Sequence, residues 1–233
     1  MDSKRRNASA RGFSLVELLV GTILFTIITG IAFSVLLSSQ LRYQGESNVT
    51  EVFQQANIAI DQITRDVHSA GYPPRSSLST NVANTSPNLY ALPFAWAPSY
   101  PATTCTVGAT CTVPGDYELI VEAQTDNNNG VQWIRYSLQG TTLLRGVAPK
   151  QIGADPVGST AGFLVPYLEN VMNSTKSLPV FSYGYDAGAT HVPSNIREVN
   201  VSLIVQSPQP DPQTRQYRTV TLTGQAIRFN PNQ

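Results

Sequence analysis

The stretch that decides the fold covers residues 11–37 and reads RGFSLVELLVGTILFTIITGIAFSVLL. Its last twenty residues, 18–37, carry no charged side chain. A helix needs about 20 apolar residues to cross the roughly 30 Å hydrocarbon core of a bilayer. The sequence therefore predicts a membrane-spanning helix close to the N-terminus.

The helical pattern does not end with this apolar span. Over residues 49–67 apolar side chains recur at steps of three and four, which predicts an amphipathic helix with one buried stripe. That stripe consists of Val49, Val52, Phe53, Ala56, Ile60, Ile63 and Val67. Residues 13–70 contain no proline, and the sequence GYPP at 71–74 is a typical helix end. We therefore expect one helix over residues 13–70, with Gly45 as its weak point because a mid-helix glycine costs up to about 1 kcal/mol.

Charge is unevenly distributed along the chain, although the formal sum is zero. Residues 1–12 contain four basic side chains and one acidic side chain, whereas the remaining residues contain 11 basic and 14 acidic ones. A basic segment in front of a membrane span favours a cytoplasmic N-terminus. Charged residues are only 13% of the chain, below the roughly 25% of a typical soluble domain, which favours an extracytoplasmic surface. The acidic remainder argues against nucleic acid as a partner, because affinity for DNA depends on neutralising phosphates.

The two cysteines of the chain, Cys105 and Cys111, lie in a stretch rich in Pro, Ser, Thr and Asn, residues 71–115. In an oxidising compartment such a pair predicts a local disulfide that closes a tight loop. Two unpaired thiols are the alternative. A metal site is disfavoured because the chain has no further cysteine and only two histidines. We expect an irregular connection over residues 71–115.

The remainder of the chain changes to a period of two, which is typical of strands. Strands are predicted at residues 116–122, 131–138, 142–145, 180–185, 198–206 and 217–229. The DNNNG cluster at 126–130 predicts a turn between the first two. Because no helical pattern separates the strands, we expect an antiparallel meander that buries one face against the apolar stripe of the helix. The predicted fold is α+β, with a β-rich domain over residues 116–233.

The residues on either side of the start of the apolar span carry a family resemblance. The sequence RGFSLVELL at residues 11–19 closely resembles the class III signal of type IV prepilins and pseudopilins. The resemblance implies that a membrane peptidase cuts between Gly12 and Phe13 and that the new N-terminus at Phe13 is methylated. It also implies that Glu17 pairs with the amino group of Phe13 in the same or a neighbouring subunit. A carboxylate within an apolar helix needs such a partner, because burying it costs several kcal/mol.

Two other kinds of N-terminal segment fit this sequence less well than a prepilin signal. An ordinary signal peptide has an apolar region of about 7–15 residues that ends at a small-residue cleavage site. Here the span is longer and the helical pattern continues beyond it without a boundary. A plain single-pass anchor would not require Gly12 and Glu17 at their positions.

The downstream half resembles one branch of the family more than others. Residues 131–138, VQWIRYSL, followed by Leu143-Leu144-Arg145, look like the "Y-x-L … L-x-R" hairpin of PilW-type minor pilins and J-type pseudopilins. The resemblance implies a minor type IV pilin, a structural subunit that primes or caps pilus assembly. A pseudopilin of a type II secretion system, or a tip adhesin, is the alternative.

The implied partners are a prepilin peptidase and methyltransferase, other pilin or pseudopilin subunits, an inner-membrane assembly platform and membrane lipid. The implied location is the bacterial inner membrane and then a pilus or pseudopilus. For an adhesin, the aromatic residues outside the helix should be exposed, whereas buried rings would indicate packing. Those residues are Tyr90, Phe94, Trp96, Tyr100, Tyr183 and Tyr185.

The sequence contains few residues that could support catalysis or bind a cofactor. The two histidines, His68 and His191, are far apart, which disfavours a catalytic triad or a metal cluster. Residues 126–130 lack the distal acidic ligand of an EF-hand loop. We therefore expect a protein that is not an enzyme and that carries no cofactor or metal.

Overall fold

The computed structural model describes residues 14–125, 130–151 and 153–229. Its dominant element is helix α1, Leu15–His68, whose 54 residues span about 81 Å at 1.5 Å per residue. After Ser69 the chain turns at Gly71, which adopts a positive φ of 77° and thereby ends the helix. The prediction of one helix that continues from the apolar span into the domain is confirmed.

The segment after α1 is largely irregular. It contains two short 3-10 turns, Arg75–Ser77 and Pro87–Leu89, and one short helix, α2, Thr80–Thr85. Such a segment needs other contacts to hold it in place, because a six-residue helix has little stability of its own.

Seven antiparallel strands follow in the described part of the chain, and they form two sheets. The first sheet has the order β1-β2-β3-β4 and the second the order β5-β6-β7. The strands are β1 Glu118–Ala123, β2 Gln132–Gln139, β3 Thr142–Pro149, β4 Val165–Leu168, β5 Phe181–Tyr185, β6 Ile196–Gln206 and β7 Thr219–Ile227. Consecutive strands are neighbours in both sheets, so each sheet is a meander. The predicted α+β architecture is confirmed, while the division into two sheets goes beyond the sequence pattern.

Two elements of the first sheet region are absent from the sequence prediction. Strand β4 has only four residues and includes Pro166, and helix α3, Pro156–Ala161, lies between β3 and β4. The carboxylate of Asp155 caps α3 by accepting a hydrogen bond of 2.8 Å from the amide of Gly158. Elements this short carry too little periodicity to be recognised from sequence.

The core lies between helix α1 and both sheets. Six helix residues are buried in it: Val52, Ala56, Ala59, Ile60, Ile63 and Val67. Strand β7 presents Leu222, Gly224 and Ala226 to the helix, and a Cβ atom at Gly224 would lie 2.3 Å from Cγ2 of Ile60. The helix and β7 therefore pack unusually closely at this point.

One member of the predicted apolar stripe is misplaced. Phe53 remains 47% exposed, although the spacing of apolar residues assigns it to the buried face. Successive residues are about 100° apart around a helix, and the buried face is centred on Val52 and Ala56, which turns Phe53 to the edge. The prediction for Phe53 is wrong.

Candidate assembly site

The N-terminal half of α1 is an apolar helix that packs against none of the other residues that the structure describes. All residues from 14 to 37 are exposed, and the most apolar window of α1 has a mean hydropathy of 2.3 with none of its residues buried. This helix is long and apolar enough to cross a membrane. A cleaved secretory signal would end in front of the domain, whereas α1 continues without a break into the domain core.

Polar side chains within this apolar half have their hydrogen bonds satisfied by the helix itself. The hydroxyl groups of Thr22, Thr26, Thr29 and Ser34 donate to backbone carbonyls three or four residues earlier, at 2.7–3.0 Å. A hydroxyl group paired in this way costs little in an environment without water. The threonines and serine are therefore compatible with a lipid or helix-bundle environment.

Glu17 lies in the first turn of α1 and is exposed. A carboxylate at this end of a helix is favoured by the helix dipole, since the backbone N–H groups of the first turn are unpaired. Gly12 and Phe13, which form the predicted cleavage site, lie outside the described residues. The pairing of Glu17 with the amino group of Phe13 stays a prediction.

The domain begins to contact α1 at Gly45. This glycine is buried, and a Cβ atom there would lie 3.3 Å from Oδ2 of Asp211, in the loop that connects β6 to β7. Asp211 accepts backbone hydrogen bonds from Gln213 and Thr214, which lower the pKa of its carboxyl group. The sequence suggests that Gly45 weakens the helix. In the structure, the lack of a side chain at Gly45 leaves room for the Asp211 loop to approach α1 closely.

A buried ionic cluster fixes the other end of α1. The carboxylate of Asp66 accepts hydrogen bonds from the hydroxyl group of Tyr136 at 2.5 Å and from Nη2 of Arg145 at 2.9 Å. Burial, together with the nearby Asp66 carboxylate, raises the pKa of the Tyr136 hydroxyl group. Tyr136 and Arg145 are the tyrosine and arginine of the "Y-x-L … L-x-R" hairpin. This pattern therefore has a structural role here, which is to hold the helix end.

A second buried cluster attaches the irregular segment to the first sheet. Glu122 is completely buried, and its carboxylate accepts hydrogen bonds from Lys150 at 2.7 Å, Trp133 at 2.8 Å and the amide of Leu92 at 2.8 Å. The hydroxyl group of Tyr100 donates to the same carboxylate. Glu122 and its partners are far apart in sequence, which is why sequence reasoning missed them.

Most aromatic rings that could mark an adhesin are used for packing. Phe94 and Trp96 are buried, Tyr90 and Tyr100 are half-buried, and the hydroxyl group of Tyr183 donates to the carbonyl oxygen of Gly115 at 2.8 Å. Because these rings are buried or half-buried, they indicate packing more than binding to a surface.

Cys105 and Cys111 are joined by a disulfide, with their Cα atoms 5.0 Å apart. The loop that they close also donates a hydrogen bond of 2.8 Å from the amide of Val107 to the carbonyl oxygen of His191. A cleft of about 540 Å³ separates this loop from β5. The rings of His191 and Tyr185 stack beside it with centroids 4.3 Å apart.

Neither histidine is close to a constellation of metal ligands. Over residues 14–125, 130–151 and 153–229, no group of three or more His, Cys, Asp or Glu side chains could hold a metal ion. The ring of His68 packs against the ring of Phe229, with the two ring centroids 4.4 Å apart.

Comparison with known families matches only the beginning of the chain. Residues 7–33 match the prokaryotic N-terminal methylation motif. This motif indicates a type IV pilin-like or pseudopilin-like protein, and it implies processing by a prepilin peptidase and assembly with other pilins. It contains Gly12, Phe13 and Glu17 together with most of the exposed apolar helix.

No curated protein and no solved structure matches this chain. The motif and the long apolar helix together indicate membrane anchoring and a pilus-associated location. The domain beyond the motif is characterised by its own pilin-like α+β architecture.

Proposed function

We propose that this protein is a minor type IV pilin, a structural subunit that primes or caps a filament built from the inner membrane. The observation that carries the proposal is the continuity of α1. One 54-residue helix begins within the methylation motif, exposes an apolar half and then forms the core of a folded domain. An exposed apolar half of this length suits first the membrane and then other helices of the same kind.

In this proposal the membrane-bound subunit has its N-terminus in the cytoplasm and its domain outside. The basic residues before Phe13 favour this orientation. The peptidase cuts after Gly12, and Phe13 becomes the methylated N-terminus. Glu17 then pairs with that amino group, which offsets the desolvation of its carboxylate and fixes the axial register of neighbouring helices.

A pseudopilin of a type II secretion system is the second candidate, because it shares the motif and the long helix. The long irregular segment over residues 71–115 and the lack of proline over residues 13–70 support a minor subunit over a major one. Loss of pili after deletion of the gene supports the pilus role, whereas loss of protein secretion with intact pili supports the pseudopilin role.

The core of the proposal is tested by mass spectrometry of the mature N-terminus. The full chain is expressed with a prepilin peptidase, and its N-terminal peptide is sequenced. We expect the protein to begin at N-methylated Phe13. The Gly12→Val variant should remain uncut, because a branched side chain replaces the glycine at the cleavage site, whereas Gly21→Ala should be processed normally. A mature protein that begins at any other residue contradicts the proposal.

A further inference from the structure

Strand β7 forms one edge of the second sheet and is the longest edge strand in the described part of the chain. It pairs with β6 over all nine residues, Thr219–Ile227, and the register does not shift along this length. A regular strand of this kind presents a straight row of backbone groups on its outer side.

The register shows which backbone groups point away from the sheet. The amide of Ser207 donates to the carbonyl oxygen of Arg218, and the amide of Arg228 donates to the carbonyl oxygen of Arg197. Hydrogen-bonded pairs alternate along an antiparallel ladder, so the even-numbered residues of β7 bond to β6. The N–H and C=O groups of the odd-numbered residues therefore face outward. Those residues are Thr219, Thr221, Thr223, Gln225 and Ile227.

Among residues 14–125, 130–151 and 153–229, no hydrogen-bond partner is found for these outward groups. The other sheet edges differ. The edge of β1 is covered by residues 93–95, where the amide of Ala95 donates to the carbonyl oxygen of Ile120 at 3.0 Å. The edge of β4 is four residues long and contains Pro166. The edge of β5 bonds to Asp116 and has a register shift at Gly184.

Strand β7 also lacks the features that normally protect an edge from pairing. Proteins place proline, charged side chains or bulges on exposed edges to prevent unwanted strand addition. The sequence TVTLTGQAI of β7 contains no proline and no charged residue. The outward-facing backbone groups are accompanied by exposed, neutral side chains. Since the other edges are covered or short, the open edge of β7 is best explained by a partner strand.

The partner can be located from the position of β7 on the helix. The chain around β7 approaches α1 at Gly45 through Asp211, at Ile60 through Gly224 and at His68 through Phe229. Strand β7 therefore runs alongside α1 in the same direction. If the apolar halves of several such helices pack together, as the proposed function requires, their domains lie side by side with β7 near the boundary.

We infer that the outer edge of β7 pairs with an edge strand of a neighbouring, different pilin-like subunit, so that the sheet continues across the subunit boundary. Backbone hydrogen bonds supply the contact, as in other cases of strand addition. Parallel helices bring different faces of two subunits together in a head-to-tail manner. A second copy of this chain would then have to offer another free edge, and its other edges are covered, short or bulged. This inference rests on the proposed function.

A matched pair of variants at Thr223 tests the inference. Thr223→Pro removes an outward N–H group without removing a bond to β6, and the proline ring blocks an incoming strand. Thr223→Val keeps the N–H group and the strand propensity. We expect recovery of the full-length Pro variant in assembled filaments to fall about tenfold relative to the Val variant, a factor that corresponds to about 1.4 kcal/mol of association free energy. Equal recovery of the two variants overturns the inference.

Circular dichroism of both full-length variants in detergent checks that the fold is retained. If Thr223→Pro unfolds, Thr221→Lys and its control Thr221→Gln replace the pair, because a lysine on an edge strand disfavours pairing. The same tenfold loss is then expected for the Lys variant, and equal recovery again overturns the inference.

Photo-crosslinking identifies what pairs with the edge. Benzoyl-phenylalanine replaces Gln225 in the full chain, in cells that express the other prepilin-type subunits, and replaces the exposed Thr85 as a control. We expect Gln225 to crosslink to a strand of a different subunit that carries a methylation motif, and Thr85 not to reach that strand. Crosslinks from Gln225 only to lipid, or only to a second copy of this chain, overturn the inference. If the unmodified protein enters no filament or complex, the proposed function itself fails, which distinguishes the two failures.

Discussion

At the scale of single residues, the structure depends on glycines that have no special backbone conformation. Gly45 and Gly224 lie where other parts of the chain approach closely; a Cβ atom would be tight at Gly45 and would overlap its neighbour at Gly224. At Gly45 the neighbour is the Asp211 loop, and at Gly224 it is the side chain of Ile60. The absence of a side chain therefore sets the distance between helix α1 and the second sheet.

Gly224→Ala should destabilise the domain. The new methyl group would lie 2.3 Å from Cγ2 of Ile60, and overpacking of this kind costs about 1–3 kcal/mol. Thermal unfolding of the full chain in detergent, followed by circular dichroism, should show a lower midpoint. Gly162→Ala is the control, because its methyl group meets open space and its φ is −75°. Equal midpoints for the two variants contradict the prediction, and Ile60→Ala should partly rescue Gly224→Ala.

At the scale of elements, the helix is held to the first sheet by the cluster around Asp66. The hairpin β2–β3 supplies Tyr136 and Arg145 from adjacent strands, where they are directly opposite each other in the register. Nε of Arg145 also donates to the hydroxyl oxygen of Tyr136 at 3.0 Å. The three side chains thus act as one unit, and removing different members should have unequal effects.

Arg145→Met should destabilise the protein more than Tyr136→Phe. Loss of Arg145 leaves a buried carboxylate without its cation, which costs about 3–5 kcal/mol. Loss of the Tyr136 hydroxyl group removes its hydrogen bonds with Asp66 and Arg145 but leaves that ion pair in place, at a cost of about 1.5–3 kcal/mol. Urea unfolding of the full chain in detergent measures both. The control is Arg197→Met, since the Arg197–Asp186 pair is 3.6 Å long and its side chains are 63% and 48% exposed; a change close to zero is expected. A smaller effect for Arg145→Met than for Tyr136→Phe would show that the carboxylate does not need its cation.

At the scale of the whole molecule, the proposed function depends on how the exposed half of α1 packs against other subunits. We expect Glu17→Ala to be processed normally at Gly12 but to enter filaments poorly, because the proposed pairing with the amino group of Phe13 would be lost. Immunoblots of membrane and sheared-filament fractions separate the two steps. Glu51→Ala, on the exposed face of the same helix beyond the apolar half, should behave like the unmodified protein. Unchanged incorporation of Glu17→Ala removes the role assigned to this residue.

Sequence reasoning predicted the elements whose residues repeat regularly over a long stretch. Helix α1 and strand β6 have such patterns, whereas β4 has four residues and α3 has six. The two-sheet arrangement could not be predicted, because alternation within a strand does not specify its neighbour.

The residues of the candidate site also differ in how far they could be predicted from the sequence. Glu17 was recognisable from its place in a local motif. Asp66 and Arg145 are 79 residues apart, and Glu122 in β1 meets Lys150, which directly follows β3, so no local pattern reveals these pairs. That Cys105 and Cys111 are oxidised in the cell stays a prediction.

The unbroken helix also has a mechanical consequence. Between Leu37, the last residue of the apolar run, and Gly45, where the domain begins to contact α1, there are eight helical steps, about 12 Å. The structure shows no hinge or slack tether there. A pull on the domain is therefore transmitted directly to the exposed apolar half of α1, and an axial step of that half moves the domain by the same distance. Such a pull loads the whole contact between α1 and the sheets in shear, including the Asp211 loop, the buried stripe of α1 and the Asp66 cluster.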